Sequence, residues 1–287
     1  MSRLGEDVVA AAFRAACHDE IAALKPGNVH IHAPGHGMDV GHFERAAEAA
    51  APWMATAGIG LGARIRHAVE ASMAAAGCNT NLGIVLLCAP LAAAALIETE
   101  GSLEARTAIV LEQTTHADAI EIYAAIRLAN PGGLGRSPAE DVASPPTVPL
   151  LQAMSLAAER DRIAYAYVTG FEEVFRVGLP TLALARGSTG DPTSAITALH
   201  LALLAQHIDS HIARKHGVPA ALTVMREAAL LLPMMQGPPT PATTAALLAF
   251  DRSLKQRGLN PGTTADFVVA TLFAARLEAE MATRTAL

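Results

Sequence analysis

Charge, aromatic rings and cysteine are all scarce in this chain of 287 residues. Charged residues make up 17% and aromatics 4%, against 52% hydrophobic. So apolar a chain can bury a sizeable core, whereas disorder requires low hydrophobicity and high charge. Because aromatics are rare, the apolar content falls on Ala and Leu, which favour close helix packing over strands. The three cysteines, Cys17, Cys78 and Cys88, are odd in number and show no CxxC spacing. That excludes a disulfide framework and a structural zinc site and leaves buried free thiols. Basic residues are outnumbered, giving a formal charge of -6, which argues against broad nucleic-acid binding. A local positive cluster can still meet a polyanionic ligand. No GxGxxG, Walker A loop or GxSxG elbow occurs, and His207-Ile208-Asp209-Ser210-His211 lacks the glutamate of HExxH. The most apolar run, residues 82–97, is shorter than the roughly 18 to 20 residues of a membrane span and contains Pro90. Glu6 and Asp7 stand where a secretory signal carries basic residues. The expectation is a cytoplasmic protein with neither membrane nor nucleic acid as partner.

What is present is helical periodicity broken by polar turns. A first helix over residues 6–24 runs into Lys25-Pro26-Gly27, opening a loop to Gly41 with little helix propensity and three histidines, His30, His32 and His36. Further helical patterns cover 42–57 and 61–76, and a long apolar helix follows Gly77-Cys78-Asn79-Thr80-Asn81. Thr115-x-x-Asp118 looks like a capping box, and Asn130-Pro131-Gly132-Gly133 is a strong stop. Residues 130–149 are the longest irregular stretch, readable either as an ordered active-site loop or as a connection between two helical halves. Helical patterns resume to Arg186, and Asp191-Pro192 reads as an N-cap followed by proline at the first helical position. The pattern then continues through Lys215, and more helices are expected over 220–232, 241–257 and 263–282. With no internal repeat and no alternating strand pattern, the chain reads as one all-α bundle over residues 1–287.

Against this apolar background four polar islands stand out, because burying them requires partners, ions or ligands. They are Lys25-Pro26-Gly27-Asn28, Asn79-Thr80-Asn81-Leu82-Gly83, residues 209–215 and Asn260-Pro261-Gly262-Thr263-Thr264-Ala265-Asp266. Their order and spacing resemble the triphosphoribosyl-dephospho-CoA synthase family, whose members carry a KPG-x-V loop, a G-x-NT-x-x-G turn, a D-[ST]-rich element and a C-terminal PG-x-[ST]-AD motif. The resemblance runs through most of the chain. It implies an all-helical enzyme that attaches the ribose of ATP, still bearing its triphosphate, to dephospho-CoA and releases adenine, making a prosthetic group for citrate lyase or malonate decarboxylase. Two departures mark a diverged branch, similar to archaeal and methylotroph members. Asn81-Leu82 stands where typical members have His-Lys, and Asp209-Ser210-His211 followed by Arg214-Lys215 stands where they have Asp-Thr-Asn.

Displacement at the anomeric carbon of ATP must hold a triphosphate, stabilise oxocarbenium-like charge and deprotonate an acceptor hydroxyl. A triphosphate calls for Mg²⁺ with oxygen ligands together with cations or helix N-termini. The binding candidates are Lys25, Asn28, His36, Asn79, Thr80, Asn81, Arg214, Lys215, Asn260, Gly262 and Thr263. Glu70, Asp209 and Asp266 are candidate metal carboxylates, and Asp209 with His211 the candidate catalytic pair. Glu70 rests mainly on the resemblance. Duller duties are open to each: Lys25 as a solvated residue at a helix C-terminus, Asn79 to Asn81 as caps, Thr263 and Asp266 as a capping box, Arg214 and Lys215 as complements to a helix dipole. A transition-metal site from His30, His32, His36 and Asp39, or from His207 and His211, is a further alternative. Three functions are therefore expected in order. They are the synthase-like transfer from ATP; a related transfer to a pterin- or furan-type precursor of a one-carbon carrier cofactor; and a non-catalytic helical protein that binds a nucleotide. An Ala-rich helical surface is also suited to pairing with a second copy.

Overall fold

The computed structural model describes residues 3–35, 37–137 and 139–285. Among these residues no strand forms; the only bridges, His30 to Ala33 and Gly35 to Met38, pin the first loop. Fourteen α-helices follow one another: α1 Glu6–Ala22, α2 Val40–Ala55, α3 Leu61–Ala76, α4 Leu82–Leu96, α5 Leu103–Glu112, α6 His116–Ala129, α7 Leu150–Ala157 and α8 Arg162–Val168. After a π-helical segment, Glu173–Gly178, come α9 Leu179–Thr189, α10 Pro192–Gln206, α11 Ser210–His216, α12 Val218–Leu231, α13 Pro241–Gln256 and α14 Gly262–Thr285. A 3₁₀ turn, Leu232–Met235, extends α12.

α4 is apolar on every side, so it has no face for water and becomes the axis of the bundle. α1, α2, α3, α5 and α14 surround it, with Phe13 of α1 meeting Phe273 of α14 edge-on at 5.8 Å. A second apolar cluster joins α10, α12 and α13 around Leu201, Val224 and Leu254. α10 is the shared wall: Ile196, Leu199 and Leu203 belong to the first cluster and Ala198, Leu201 and Leu204 to the second. The expected caps form. Thr115 and Asp118 make a reciprocal capping box, and Asp191 accepts from the Ser194 N–H with Pro192 at the first position.

The helical patterns expected up to Arg186 form as α7, α8, the π segment and α9, with Phe171 at a positive φ of 64° before the π segment. Among the described residues Val218–Met235 is long and apolar enough to match a membrane span by length and composition, while the apolar run of residues 82–97 forms the shorter α4. The longer stretch carries Arg226 and Glu227 at its middle and buries Ala221, Val224 and Ala228 in the second cluster.

Candidate active site

The ends of α4, α6, α11 and α14 face one another, and a cavity of about 450 Å³ opens between them and the loop that joins α6 to α7. All four polar islands reach its wall, through Asn28, through Asn79, Thr80, Leu82 and Gly83, through His211, Arg214 and Lys215, and through Asn260, Gly262, Thr263 and Asp266. From the irregular stretch 130–149, residues between Asn130 and Ser137 and from Ala139 to Val142 line this cavity. Tyr123 donates to the Glu140 carbonyl at 3.0 Å, Arg127 to the Val142 carbonyl at 2.9 Å, and the Ser137 N–H to the Asp141 carboxylate at 2.7 Å.

The first island shapes the site from behind. Gly27 adopts a φ of 84°, its N–H donates to Asp251 at 2.9 Å, and a Cβ here would come within 2.8 Å of Leu254 and Pro261. Only glycine fits that combination. Lys25 is fully buried, paired with Glu20 at 2.8 Å and donating to the Val29 carbonyl at 2.6 Å. Burial pulls the Lys25 pKa down and pushes that of Glu20 up, while each charge opposes its partner's shift. Lys25 is thus neither solvated nor on the cavity wall; its partner Glu20 is. Asn28 does reach the wall and donates to Asn260 at 2.8 Å, joining the first island to the fourth. His36 lies outside the described residues. Of the remaining loop histidines, His30 is buried against Asp251 at 3.3 Å, and among the described residues no group of three or more His, Cys, Asp and Glu is arranged to hold a metal.

At the second island Asn79 is both a cap and a wall residue. It accepts from the Leu82 N–H at 3.2 Å and lines the cavity. The Thr80 hydroxyl, on the same wall, is buried without a hydrogen-bond partner among the described residues. Asn81 turns away and donates to Ser72 at 3.0 Å, so it is not a wall residue.

The third and fourth islands are clasped together by Asp209. It is 1% exposed, caps α11 by accepting from the Ile212 N–H at 3.0 Å, and accepts from the Thr264 N–H at 2.7 Å and hydroxyl at 2.8 Å. Beneath it lies a buried network the sequence did not reveal: Arg162 donates to Thr264 at 3.0 Å, pairs with Glu173 and stacks 4.7 Å over Phe267. Burial raises the Asp209 pKa, with Arg162 and the hydrogen bonds from Ile212 and Thr264 opposing. With both oxygens engaged and no place on the wall, Asp209 is a clasp in this geometry rather than a base or metal ligand. His211, the second residue of the same helix, does line the cavity and packs on Gly262. Arg214 pairs with Asp161 at 2.7 Å; Lys215 is exposed and has no carboxylate partner among the described residues. Asp161, another residue missed, caps α8 through the Ile163 and Ala164 N–H groups.

Of the proposed metal carboxylates, Glu70 lies on the outer face of α3, paired with Arg66 at 2.8 Å and away from the cavity. Asp266 is on the wall, makes no hydrogen bond or ion pair among the described residues, and lies so close to the α4 backbone that any side chain at Gly83 would overlap its carboxylate. Its expected capping box with Thr263 does not form. Burial, then the charges of Asp209 and Glu20, hold the Asp266 pKa well above the usual carboxylate range.

An all-helical chain whose helix ends converge on a cavity of nucleotide size defines a class of small-molecule protein. The sequence narrows it: the family model for ATP:dephospho-CoA triphosphoribosyl transferase matches residues 6–285, and the chain belongs to that family. A curated relative from Albidiferax ferrireducens, named "Probable 2-(5''-triphosphoribosyl)-3'-dephosphocoenzyme-A synthase", is 34% identical over 113 residues. That alignment covers 38% of this chain and 36% of the relative's length. The crystal structure of an Archaeoglobus fulgidus protein assigned as a triphosphoribosyl-dephospho-CoA synthase superposes with a TM-score of 0.58 at 24% identity, covering 83% of this chain and 96% of that one. It is similar in fold.

Proposed function

We propose that the chain is a cytoplasmic transferase that moves the triphosphoribosyl group of ATP to the hydroxyl of dephospho-CoA and releases adenine. The observation that carries this reading is the convergence of all four family islands on one cavity. In the step proposed, the acceptor oxygen forms a bond to the anomeric carbon as the carbon–nitrogen bond to adenine breaks. The bonding pair leaves with the base, which takes up a proton, while the acceptor's proton passes to His211. Asp266, with Glu20 beside it, faces the developing positive charge, and Arg214, Lys215 and the N-terminus of α14 receive the triphosphate. The wall also fits Mg²⁺ of the kind that one or two carboxylates and substrate phosphates share, since Asp266 has no other partner; Glu70 and Asp209 do not fit it. Bound there, the ion would neutralise phosphate charge.

A second reading retains the transfer and changes the acceptor to a precursor of a one-carbon carrier. Leu82 favours it, being an apolar side chain on the wall beside the Asn79 turn. Incubation with ATP, Mg²⁺ and each acceptor, with adenine followed by chromatography, separates the two. Adenine only with dephospho-CoA supports the first reading, and adenine only with a pterin or furan acceptor supports the second.

A further inference from the structure

The cavity has two unlike halves. Asp266, His211, Thr263 and the cations of α11 form one; Tyr123 and Ile126 of α6, Met154 and Leu156 of α7, Ile163 of α8 and Leu134 of the loop form the other. The apolar half does not end at the mouth. It continues past the mouth as Leu134, 41% exposed, and Leu156, 46% exposed, two side chains that also line the cavity. Arg160 sits on the same rim. Its guanidinium donates to the Leu156 carbonyl at 2.9 Å and to the Ser137 hydroxyl at 3.1 Å, and no carboxylate pairs with it among the described residues.

The volume decides what can cover this rim. At about 450 Å³ the cavity is in the lower part of the range for small-molecule sites, room for one nucleotide-sized ligand. The proposed reaction brings two together, so part of one must lie outside. ATP has its reacting carbon between a triphosphate and a base, and two groups that suit a triphosphate, Arg214, 20% exposed, and Thr263 at the start of α14, 2% exposed, are less exposed than the leucine rim. The acceptor in the family description is built differently: its ribose hydroxyl is followed by a diphosphate and then by a long uncharged amide chain. The rim offers partners for both of these parts, Arg160 for the diphosphate and Leu134 with Leu156 for the uncharged chain.

Resting on the transferase reading, we infer that the acceptor lies along the apolar half, its diphosphate at Arg160 and its uncharged chain across Leu134 and Leu156. Arg160 is then a specificity residue for the acceptor and not part of the triphosphate site. Calorimetric titration with dephospho-CoA and, separately, with ATP and Mg²⁺ tests this on the wild type, on the double variant Leu134→Ser, Leu156→Gln, and on Arg160→Gln. Both leucines are substantially exposed, so circular dichroism should show unchanged folding. Loss of apolar cover should weaken dephospho-CoA about tenfold in the double variant, with ATP within about twofold of wild type. Arg160→Gln should weaken dephospho-CoA by a similar factor, again sparing ATP. Unchanged affinity for dephospho-CoA in either variant, a parallel loss for ATP, or no dephospho-CoA binding to the wild type overturns the inference. If the binding pattern holds but no adenine is released, the transferase reading fails and the acceptor wall stands.

Discussion

Asp209 and His211 are two residues apart, yet burial sends them to different work. Asp209 is 1% exposed with both oxygens engaged, while His211 faces the cavity. Asp209→Ala should therefore destabilise the fold by about 2–4 kcal/mol, because the donors of Ile212 and Thr264 lose their buried acceptor. His211→Ala should cost less stability than Asp209→Ala while abolishing turnover. Urea titration with adenine release checks both, and equal stability losses would remove the distinction. Lys25 makes the same point from the other side. Lys25→Met leaves Glu20 buried without its cation and should destabilise by about 3–5 kcal/mol, whereas adding Glu20→Gln should restore most of it. Urea titration of the single and double variants decides. In the sequence Lys25 and Asp209 stood out as polar groups in apolar surroundings, which is correct, but pattern alone does not distinguish a ligand contact from a buried partner. Glu20, Arg162 and Glu173 were invisible because a charged residue within a helical pattern reads as solvated, and nothing local shows that these are buried in ion pairs.

Helix ends were the legible elements. The Thr115 and Asp118 box and the Asp191-Pro192 start use local chemistry, and both form as read. The break into α8, the π segment and α9 was not legible, since Gly170 and a left-handed Phe171 interrupt an otherwise periodic apolar run. Residues 130–149 were undecidable for a related reason: their anchors lie outside the stretch, Tyr123 and Arg127 on α6 and Arg160 in the turn after α7. The first loop is held from α13, where Asp251 takes the Gly27 N–H and pairs with Lys255 and His30. Burial opposes the Asp251 charge, but the hydrogen bonds from His30, Gly27 and Lys255 outweigh it, so its pKa is below the ordinary 3.8. A carboxyl with a depressed folded pKa stabilises above its unfolded pKa, and that contribution is lost as pH falls through the folded value. Thermal melts from pH 7 down to pH 3 should show a shallower acid loss for Asp251→Asn than for the wild type. Parallel curves would separate the loop anchor from acid sensitivity.

At the scale of the whole molecule, α10 supplies side chains to both apolar clusters, and α14 carries the Asp266 turn into the helix that flanks α4. We propose that residues 1–287 unfold as one cooperative unit, with calorimetric and van't Hoff enthalpies equal; two separated transitions would divide the chain at α10. The same arrangement explains how a chain only 24% identical to a solved structure keeps its fold over most of its length. The core needs only Ala- and Leu-rich helices of suitable size, while the few glycines and carboxylates at the helix ends set the cavity. The central claim is that these helix ends form a site for transfer from ATP. It is tested most directly by adenine release from ATP in the presence of Mg²⁺ and dephospho-CoA. The account predicts adenine that requires all three and disappears in Asp266→Asn. Folded protein that releases none with dephospho-CoA, or an Asp266→Asn variant as active as wild type, would contradict it.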